Sequence, residues 1–507
     1  MMADQHGKTS HTKRLTPTRV LALSCALLLL AGILPLYAIA FYNHPYYDDY
    51  GFSAQVRGVW LQTQNAGQVL SAAVQSARHV RATWQGTYTG TFLSNLQPGV
   101  FAEGLYWLTT FFLLTAYLVC FGFLLWTLLR HVLQASPALA VSIASLILFV
   151  SVQFLPAVNE AFYWFNGGVG NIFIYSLLAL AIALLLRLSW AKRGYGLSLA
   201  LLGLTVLLGG GSYGGGLLGI LLFTGASALA FRYQNRFRFV YAALTLCFLL
   251  CFLYNVSAPG NALRAQAIGQ GLSPVEAVAR SLYYGVALFG DYFTLPVAAL
   301  ALGLSPFLYQ LAKQSRFSFP RPALVFLLGF LLFCTQLTPP LYAGVFLGGE
   351  RAYNTYYVSF LILLLTAETY ALGAYARKRE RSACVKTSVA PAAARHIAML
   401  AVCLFAIGCL GYKPADEVLY GPMHTAGGSA LLSLVRGEAK TYHEQMLARE
   451  ALLNDASLPV VTLAPLTAVP PVFMEDLLRV DAVYDVAPIL ARYYGKEAVL
   501  LEGGDSQ

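Results

Sequence analysis

The residues best suited to chemistry are two adjacent carboxylates in the sequence Tyr47-Asp48-Asp49-Tyr50. One carboxylate of such a pair can act as a general base toward a hydroxyl group while its neighbour orients the acceptor or binds a divalent cation, Mg²⁺ or Mn²⁺. Asp is also common at turns and where a helix begins, so an ordinary helix cap is the alternative reading. The sequence alone leaves open which of Asp48 and Asp49 would be the base.

Two turns carry arginines that suit phosphate binding. A Pro-Gly turn precedes Asn261 and Arg264, and a second turn places Arg351 between Glu350 and Asn354. The planar guanidinium group matches the oxygens of a phosphate, which favours a role in holding a phosphorylated lipid. The alternatives are an arginine that meets lipid headgroups, and simple pairing of Glu350 with Arg351.

Aromatic and polar residues elsewhere suit a sugar. We expect Tyr50, Trp84, Glu160, Trp164 and Asn166, together with the second turn's Glu350 and Asn354, to line a substrate pocket. Aromatic faces and amides suit carbohydrate recognition, although a belt of aromatic side chains at a membrane surface would have a similar composition.

Composition indicates that lipid surrounds most of the chain. Of 507 residues, 58% are hydrophobic and 11% are charged, with a mean hydropathy of +0.62, which leaves too little polar surface for a soluble protein of this size. The net charge of +10 divides unevenly along the sequence. Residues 1–412 hold 26 Lys and Arg against 10 Asp and Glu, and residues 413–507 hold 7 against 13. This division indicates membrane orientation and not nucleic-acid binding.

Apolar runs long enough to cross a bilayer predict an all-α polytopic membrane protein with about eleven spans. The expected spans are 19–41, 105–129, 137–158, 168–188, 196–211, 213–231, 239–256, 282–311, 323–345, 355–376 and 396–412. Lys and Arg gather before the first span and in alternate loops, which predicts a cytoplasmic amino terminus.

Three regions follow from this map: a cytoplasmic segment 1–18, a transmembrane domain 19–412, and an extracytoplasmic module 413–507. The long outer loop 42–104 has apolar residues at helical spacing, which predicts helices lying in the membrane interface. In the last region we expect a helix near 428–455, strands at Val460–Leu463 and Ala498–Leu501, and a helix at Val486–Tyr494. These elements would form a small α/β module.

One span, an acidic residue on the first outer loop, interfacial helices and then alternating spans resemble the GT-C superfamily of polyprenyl-phosphate-sugar-dependent glycosyltransferases. Within that plan the chain looks most like an uncharacterised bacterial multi-pass family. The residues that carry the resemblance are Asp48-Asp49-Tyr50, Trp84-Gln85-Gly86, Tyr163-Trp164 with Asn166-Gly167, Pro259-Gly260-Asn261 with Arg264, and Arg351 with Asn354.

The resemblance implies an inverting transfer of a sugar from a polyprenyl phosphate to a hydroxyl group on a glycan, glycolipid or protein acceptor. It places the reaction on the extracytoplasmic face of a bacterial inner membrane, in cell-envelope assembly. Asp48 or Asp49 would be the base, with a possible divalent cation, and Arg264 or Arg351, with Asn261, would bind the donor phosphate. Membrane lipid is the other expected partner.

A transporter or flippase for a lipid-linked glycan is the main alternative, because it would also use polar residues within the membrane and basic phosphate contacts. Transporters often contain internal repeats and charged groups at the membrane midplane. No repeat is evident in this sequence, and the polar residues gather near one predicted face. A membrane anchor that presents an acidic tail is a third reading.

Overall fold

A computed structural model describes residues 16–269, 271–315, 317–381, 425–476 and 486–502, together with 399–400, 402–403 and 406. The amino-terminal segment 1–18 and the predicted span 396–412 therefore lie mostly outside the described residues. The described part of the chain is mainly helical, as the sequence predicts for an all-α membrane protein.

In the first part of the chain the α-helices are α1 (Pro17–Ala40), α2 (Asp48–Thr63), α3 (Ala66–Thr83), α4 (Tyr88–Ser94), α5 (Leu108–Thr127), α6 (Pro137–Gln153), α7 (Phe165–Gly170), α8 (Ile172–Trp190), α9 (Tyr195–Gly209) and α10 (Tyr213–Arg232). Short 3-10 helices occupy Pro98–Val100 and Glu103–Leu105, and π-helical turns occupy Leu128–Val132 and Asn159–Tyr163.

The remaining helices are α11 (Arg238–Val256), α12 (Pro259–Ile268), α13 (Pro274–Tyr292), α14 (Leu295–Gln314), α15 (Pro322–Thr335), α16 (Thr338–Tyr342), α17 (Glu350–Arg381), α18 (Ala426–Arg436), α19 (Glu438–Asn454) and α20 (Ala487–Tyr494). A 3-10 turn occupies Phe346–Gly348. Strands β1 (Val460–Leu463) and β2 (Ala498–Leu501) pair in parallel, with Val460 opposite Ala498.

Several helices are long and apolar enough to cross a membrane, so the chain is a multi-pass membrane protein. Within the described residues seven segments meet that description: Pro17–Ala40, Glu103–Val132, Phe165–Trp190, Tyr213–Arg232, Arg238–Val256, Leu295–Gln314 and Glu350–Arg379. Three shorter apolar helices, Pro137–Gln153, Tyr195–Gly209 and Pro322–Thr335, lie at other predicted spans.

The predicted span 282–311 corresponds to two helices. The break falls at Phe293 and Thr294, and Pro296 stands in the first turn of α14, where its missing N–H costs no helical hydrogen bond. Helix α13 carries an exposed ion pair between Glu276 and Arg280. Only α14 of this predicted span is long and apolar enough to cross a membrane.

The C-terminal elements lie against the beginning of the chain. Helix α18 packs along α1, and helix α20 packs on α2. The backbone N–H of Gly427 donates to Gln153 Oε1 at 2.9 Å, and Tyr50 of α2 shares an apolar cluster with Val461, Leu490 and Val499. Both strands lie at their predicted positions, and this contact places them beside the helix that begins at Asp48.

Candidate active site

Asp48 and Asp49 form the first turn of α2, directly after the segment 41–47 that joins it to α1. Acidic side chains favour this position because the helix dipole is positive there. Tyr47, the residue before Asp48, has a φ of 34°, a backbone conformation that non-glycine residues rarely adopt and that is held only by surrounding contacts.

Asp49 is fully buried and both of its oxygens accept hydrogen bonds. Oδ2 accepts from the Tyr106 hydroxyl at 2.5 Å and from the Tyr46 backbone N–H at 3.1 Å, and Oδ1 accepts from the Asn166 N–H at 2.9 Å. Burial raises the pKa of Asp49 to about 7, against the opposing effect of these hydrogen bonds. Asp49, buried and accepting three hydrogen bonds, is therefore part of the scaffold that fixes this turn.

Asp48 has different surroundings. It is half-buried, and the hydrogen bond shown to its carboxylate within the described residues comes from Asn166 Nδ2 to Oδ2 at 2.9 Å. Burial raises the pKa of Asp48 above its ordinary value, while Arg351, Asn166 and Arg264 lower it. Asp48 thus keeps acceptor capacity beside two cations, and it is the better candidate for the base.

Asn166 connects the two carboxylates. Its N–H donates to Asp49, its side-chain amide donates to Asp48, and its side-chain oxygen accepts a short hydrogen bond from the Ser94 hydroxyl. Asn166 lies in the first turn of α7, where the backbone N–H groups have no helical partner. Asn166, which the sequence predicts to line the substrate pocket, therefore orients Asp48.

Arg264 and Arg351 each stack on a tryptophan. The Arg264 guanidinium carbon lies 5.3 Å from the ring centre of Trp84, and the Arg351 carbon lies 5.3 Å from that of Trp164. Arg264 Nη1 also donates to Gln85 Oε1 at 2.6 Å. Burial lowers the pKa of Arg264, and Arg351 lowers it further, whereas Tyr213 and Asp48 raise it. The two cations and Asp48 therefore interact electrostatically with one another.

Glu160 and Trp164 bring unpaired polar atoms to the same region. Within the described residues, Glu160 Oε2 and Trp164 Nε1 are buried without a hydrogen-bond partner. Burial raises the pKa of Glu160, with Arg351 acting against this change and Glu350 adding to it. Buried polar atoms are normally paired, so a water molecule or a ligand hydroxyl would stabilise this pair.

Three predicted site residues have structural contacts instead. Asn354 is fully buried, and its amide exchanges hydrogen bonds of 2.8 and 2.7 Å with the backbone of Ala157. Tyr50 packs edge-on against Tyr493, with ring centres 5.0 Å apart. Asn261 Oδ1 accepts from Tyr213 Oη at 2.6 Å, and its Nδ2 donates to two backbone oxygens. Asn261 thus holds a loop in place and has little capacity left for a phosphate.

Two residues that position the carboxylates were missed by sequence reasoning. Tyr106 is fully buried and donates to Asp49, and Ser94 bonds to Asn166. Tyr106 is separated from Asp49 by 57 positions, and neither residue belongs to a recognisable motif. The pairing follows from the fold, and no local signal could have predicted it.

The divalent cation expected at Asp48 and Asp49 stays a prediction. Both oxygens of Asp49 already accept hydrogen bonds, and Asp48 lies beside two arginines whose charge would repel Mg²⁺ or Mn²⁺. The described residues also contain no group of three or more His, Cys, Asp and Glu side chains that could hold a metal ion.

Comparisons of the chain with protein-family models, with curated proteins and with solved structures each found no match.

Proposed function

We propose that the protein is a membrane glycosyltransferase that moves a sugar from a polyprenyl phosphate to a hydroxyl acceptor. The observation that carries this proposal is the arrangement of Asp48, a carboxylate with spare acceptor capacity, beside the cations Arg264 and Arg351. A base next to two phosphate-binding groups is what transfer from a phosphate leaving group requires.

In the proposed reaction Asp48 accepts the proton of the acceptor hydroxyl. The hydroxyl oxygen attacks the anomeric carbon of the donor sugar and forms the new glycosidic bond with inversion. The bond between that carbon and the phosphate oxygen breaks, and its electron pair leaves with the polyprenyl phosphate. Arg264 and Arg351 stabilise the negative charge that develops on the phosphate, because charge-assisted hydrogen bonds strengthen as that charge grows.

Four surrounding residues support this assignment of roles. Asn166 orients Asp48, and Asp49 anchors Asn166 through its backbone N–H. Trp84 and Trp164 hold the two guanidinium groups by cation–π contact, which limits the freedom of long side chains. The proposal places this site on the extracytoplasmic face of a bacterial inner membrane and the product in the cell envelope.

The test is transfer of radiolabelled sugar from a panel of synthetic polyprenyl phosphate sugars by the full-length protein in nanodiscs. We expect donor-dependent product from the wild type and a loss of about 10²–10⁴-fold in Asp48→Asn, the usual range for removing a general base. Asp291→Asn is the matched control, because Asp291 is an exposed aspartate at the end of α13, and it should retain activity.

Full activity in Asp48→Asn would contradict the assignment of Asp48 as the general base. If the folded wild-type protein consumes no donor with any of the acceptors, the proposed glycosyltransferase function is contradicted. Movement of an intact lipid-linked glycan between leaflets under those conditions would instead identify a flippase.

A further inference from the structure

Glu368 is a carboxyl group inside the membrane that the proposed reaction does not use. It lies in α17, within both the predicted span 355–376 and the apolar segment Glu350–Arg379. At ~1.5 Å per residue, it is about 27 Å along the helix from Glu350 at one end and about 14 Å from Arg377 at the other. An ionisable side chain at such a depth is costly and usually marks a functional site.

The partner of Glu368 is Ser305 of α14, a helix that packs along α17. Glu368 Oε1 lies 2.5 Å from Ser305 Oγ, and Ser305 Oγ lies 3.0 Å from the backbone oxygen of Ala301. Among the described residues, Glu368 Oε2 is buried without a hydrogen-bond partner. Of the described residues on α17 and on the helices around it, Ser305 is the one polar group shown to act on Glu368, and no charged side chain does.

The two contacts of Ser305 need two hydrogens. A hydroxyl group has one hydrogen to donate, whereas a backbone oxygen and an ionised carboxylate can only accept. If Glu368 is ionised, Ser305 can donate either to Glu368 or to Ala301, and the other contact contains no hydrogen. If Glu368 is a neutral acid, its O–H donates to Ser305 while Ser305 donates to Ala301. Both contacts are then hydrogen bonds.

The same turn of α14 contains a further acceptor. Pro306 follows Ser305 inside the helix and has no N–H, so the carbonyl group of Leu302 loses its usual helical partner. Acceptors therefore outnumber donors at this turn, and the hydrocarbon region holds no bulk water that could supply the missing donors. A proton on Glu368 reduces this shortage.

We propose that Glu368 and Ser305 form a proton-binding site within the membrane, in which Glu368 is a neutral acid near neutral pH and releases its proton reversibly at high pH. The distance of 2.5 Å between the two side-chain oxygens is that of an O–H···O hydrogen bond and leaves no space for a metal cation between them. The ligand is therefore a proton. The proposal does not rest on the glycosyltransferase function, because the proposed reaction uses no group in this part of the membrane.

Infrared spectroscopy of the full-length protein in nanodiscs tests the protonation directly, because the C=O stretch of a neutral carboxylic acid is separate from the bands of a carboxylate. The difference between the wild type and Glu368→Gln isolates this group, and the Gln amide keeps a donor for Ser305. We expect one acid band near neutral pH that fades reversibly as the pH is raised. Absence of the band near neutral pH would overturn the proposal, and a band that persists at every pH at which the protein stays folded would overturn reversible binding.

Two further variants test the assignment. Glu276→Gln is the matched control, because Glu276 forms an exposed ion pair with Arg280 and its loss should leave the acid band in place. Ser305→Ala keeps the carboxyl group but removes its hydroxyl partner, so the band should remain and change its frequency. An unchanged frequency in Ser305→Ala would contradict the pairing, and this variant tests it even if Glu368→Gln fails to fold.

Replacement of choline by Na⁺ at constant pH and ionic strength separates a proton from a metal cation. We expect the same acid band in both salts. Loss of the band on addition of Na⁺ would show that the cation competes for the carboxyl group, and it would overturn the assignment to a proton alone. Failure of the sugar-transfer assay would contradict the proposed function and leave this result unaffected.

Discussion

The adjacent carboxylates Asp48 and Asp49 differ in the hydrogen bonds that their neighbours supply. Asp49 accepts from Tyr106, Tyr46 and Asn166, whereas Asp48 accepts from the Asn166 amide and keeps further acceptor capacity. Two adjacent residues of the same type therefore have different hydrogen-bonding environments in the structure. Asp49 fixes the turn, and Asp48 is the base in the proposed reaction.

The charge of Arg351 should be visible in the pH profile of the reaction. Arg351 is the strongest of the groups that lower the pKa of Asp48 against the larger effect of burial. Arg351→Gln removes that charge, so the pKa of Asp48 rises further and the acid limb of kcat/KM moves to higher pH. The profile measured on a soluble-acceptor assay checks this shift.

Arg280→Gln is the control for that experiment. Arg280 is exposed and pairs with Glu276 on α13, and its removal should leave the acid limb in place. An acid limb in Arg351→Gln that coincides with the wild type, or moves to lower pH, would show that Asp48 does not titrate in the rate-limiting step.

At the scale of elements, the turn Trp84-Gln85-Gly86 and helix α12 bring Arg264 to the site. The Gly86 N–H donates to Asn261 Oδ1 at 3.0 Å, and Gln85 accepts from Arg264. A Cβ atom at Gly86 would lie 1.8 Å from the backbone oxygen of Asn255. The absence of a side chain at this position allows the turn to approach the end of α11.

Gly86→Ala should therefore displace the turn and weaken the position of Arg264. We expect a destabilisation of about 1–3 kcal/mol, as in other overpacked contacts, together with a rise in KM for the polyprenyl phosphate donor. Thermal unfolding in detergent and donor titration measure the two effects.

Gly58→Ala provides the matched comparison, because a Cβ atom there would meet nothing within 4 Å. Gly58 lies within α2, where Ala is favoured over Gly by about 0.5–1 kcal/mol, so this variant should be as stable as the wild type or more so. Equal behaviour of the two glycine variants would contradict the proposed role of the turn.

For the whole molecule, the contacts of the C-terminal elements with α1 and α2 bring the tail beside the candidate site, and the proposed topology assigns both to one side of the membrane. The proposed orientation makes that side extracytoplasmic. Lys440 on α19 is 73% exposed, and Tyr195 at the start of α9 is 89% exposed. Cysteines at these positions, in a chain whose native cysteines are replaced, should differ in labelling by an impermeant maleimide.

In intact cells we expect labelling of Lys440→Cys and protection of Tyr195→Cys, with both labelled after the membrane is opened. Labelling of Tyr195→Cys alone would invert the orientation and with it the face assigned to the reaction. Labelling of both in intact cells would contradict the assignment of α9 to a cytoplasmic end.

Elements that depend on local pattern were predicted well from the sequence. The strands Val460–Leu463 and Ala498–Leu501 lie where expected, because short apolar runs between turn signals favour strands. The predicted span 282–311 was wrong as a single helix, since apolar composition alone did not show the break before Pro296.

The candidate site was predicted only as a set of residue types. Asn354 and Asn261 are of a residue type that often binds ligands, yet the side-chain amides of both form hydrogen bonds with backbone groups. Tyr106 was not predicted, because its hydrogen bond to Asp49 joins residues 57 positions apart and depends on the tertiary fold. The role of such a residue depends on partners that are distant in the sequence. These tertiary contacts cannot be inferred from the neighbouring residues alone.

His44, in the segment before Asp48, is hydrogen-bonded to Glu450 and His443 of α19, and this contact forms late in biosynthesis. Glu450 is separated from His44 by 406 positions, so His44 and Asp48 leave the ribosome long before their partners exist. Until residues 438–454 have been made, the strained turn at Tyr47 lacks the contact through His44. The segment before Asp48 would thus lack its contact with α19 while most of the helices are already in the membrane, and the candidate site would be completed only by the late docking of α19.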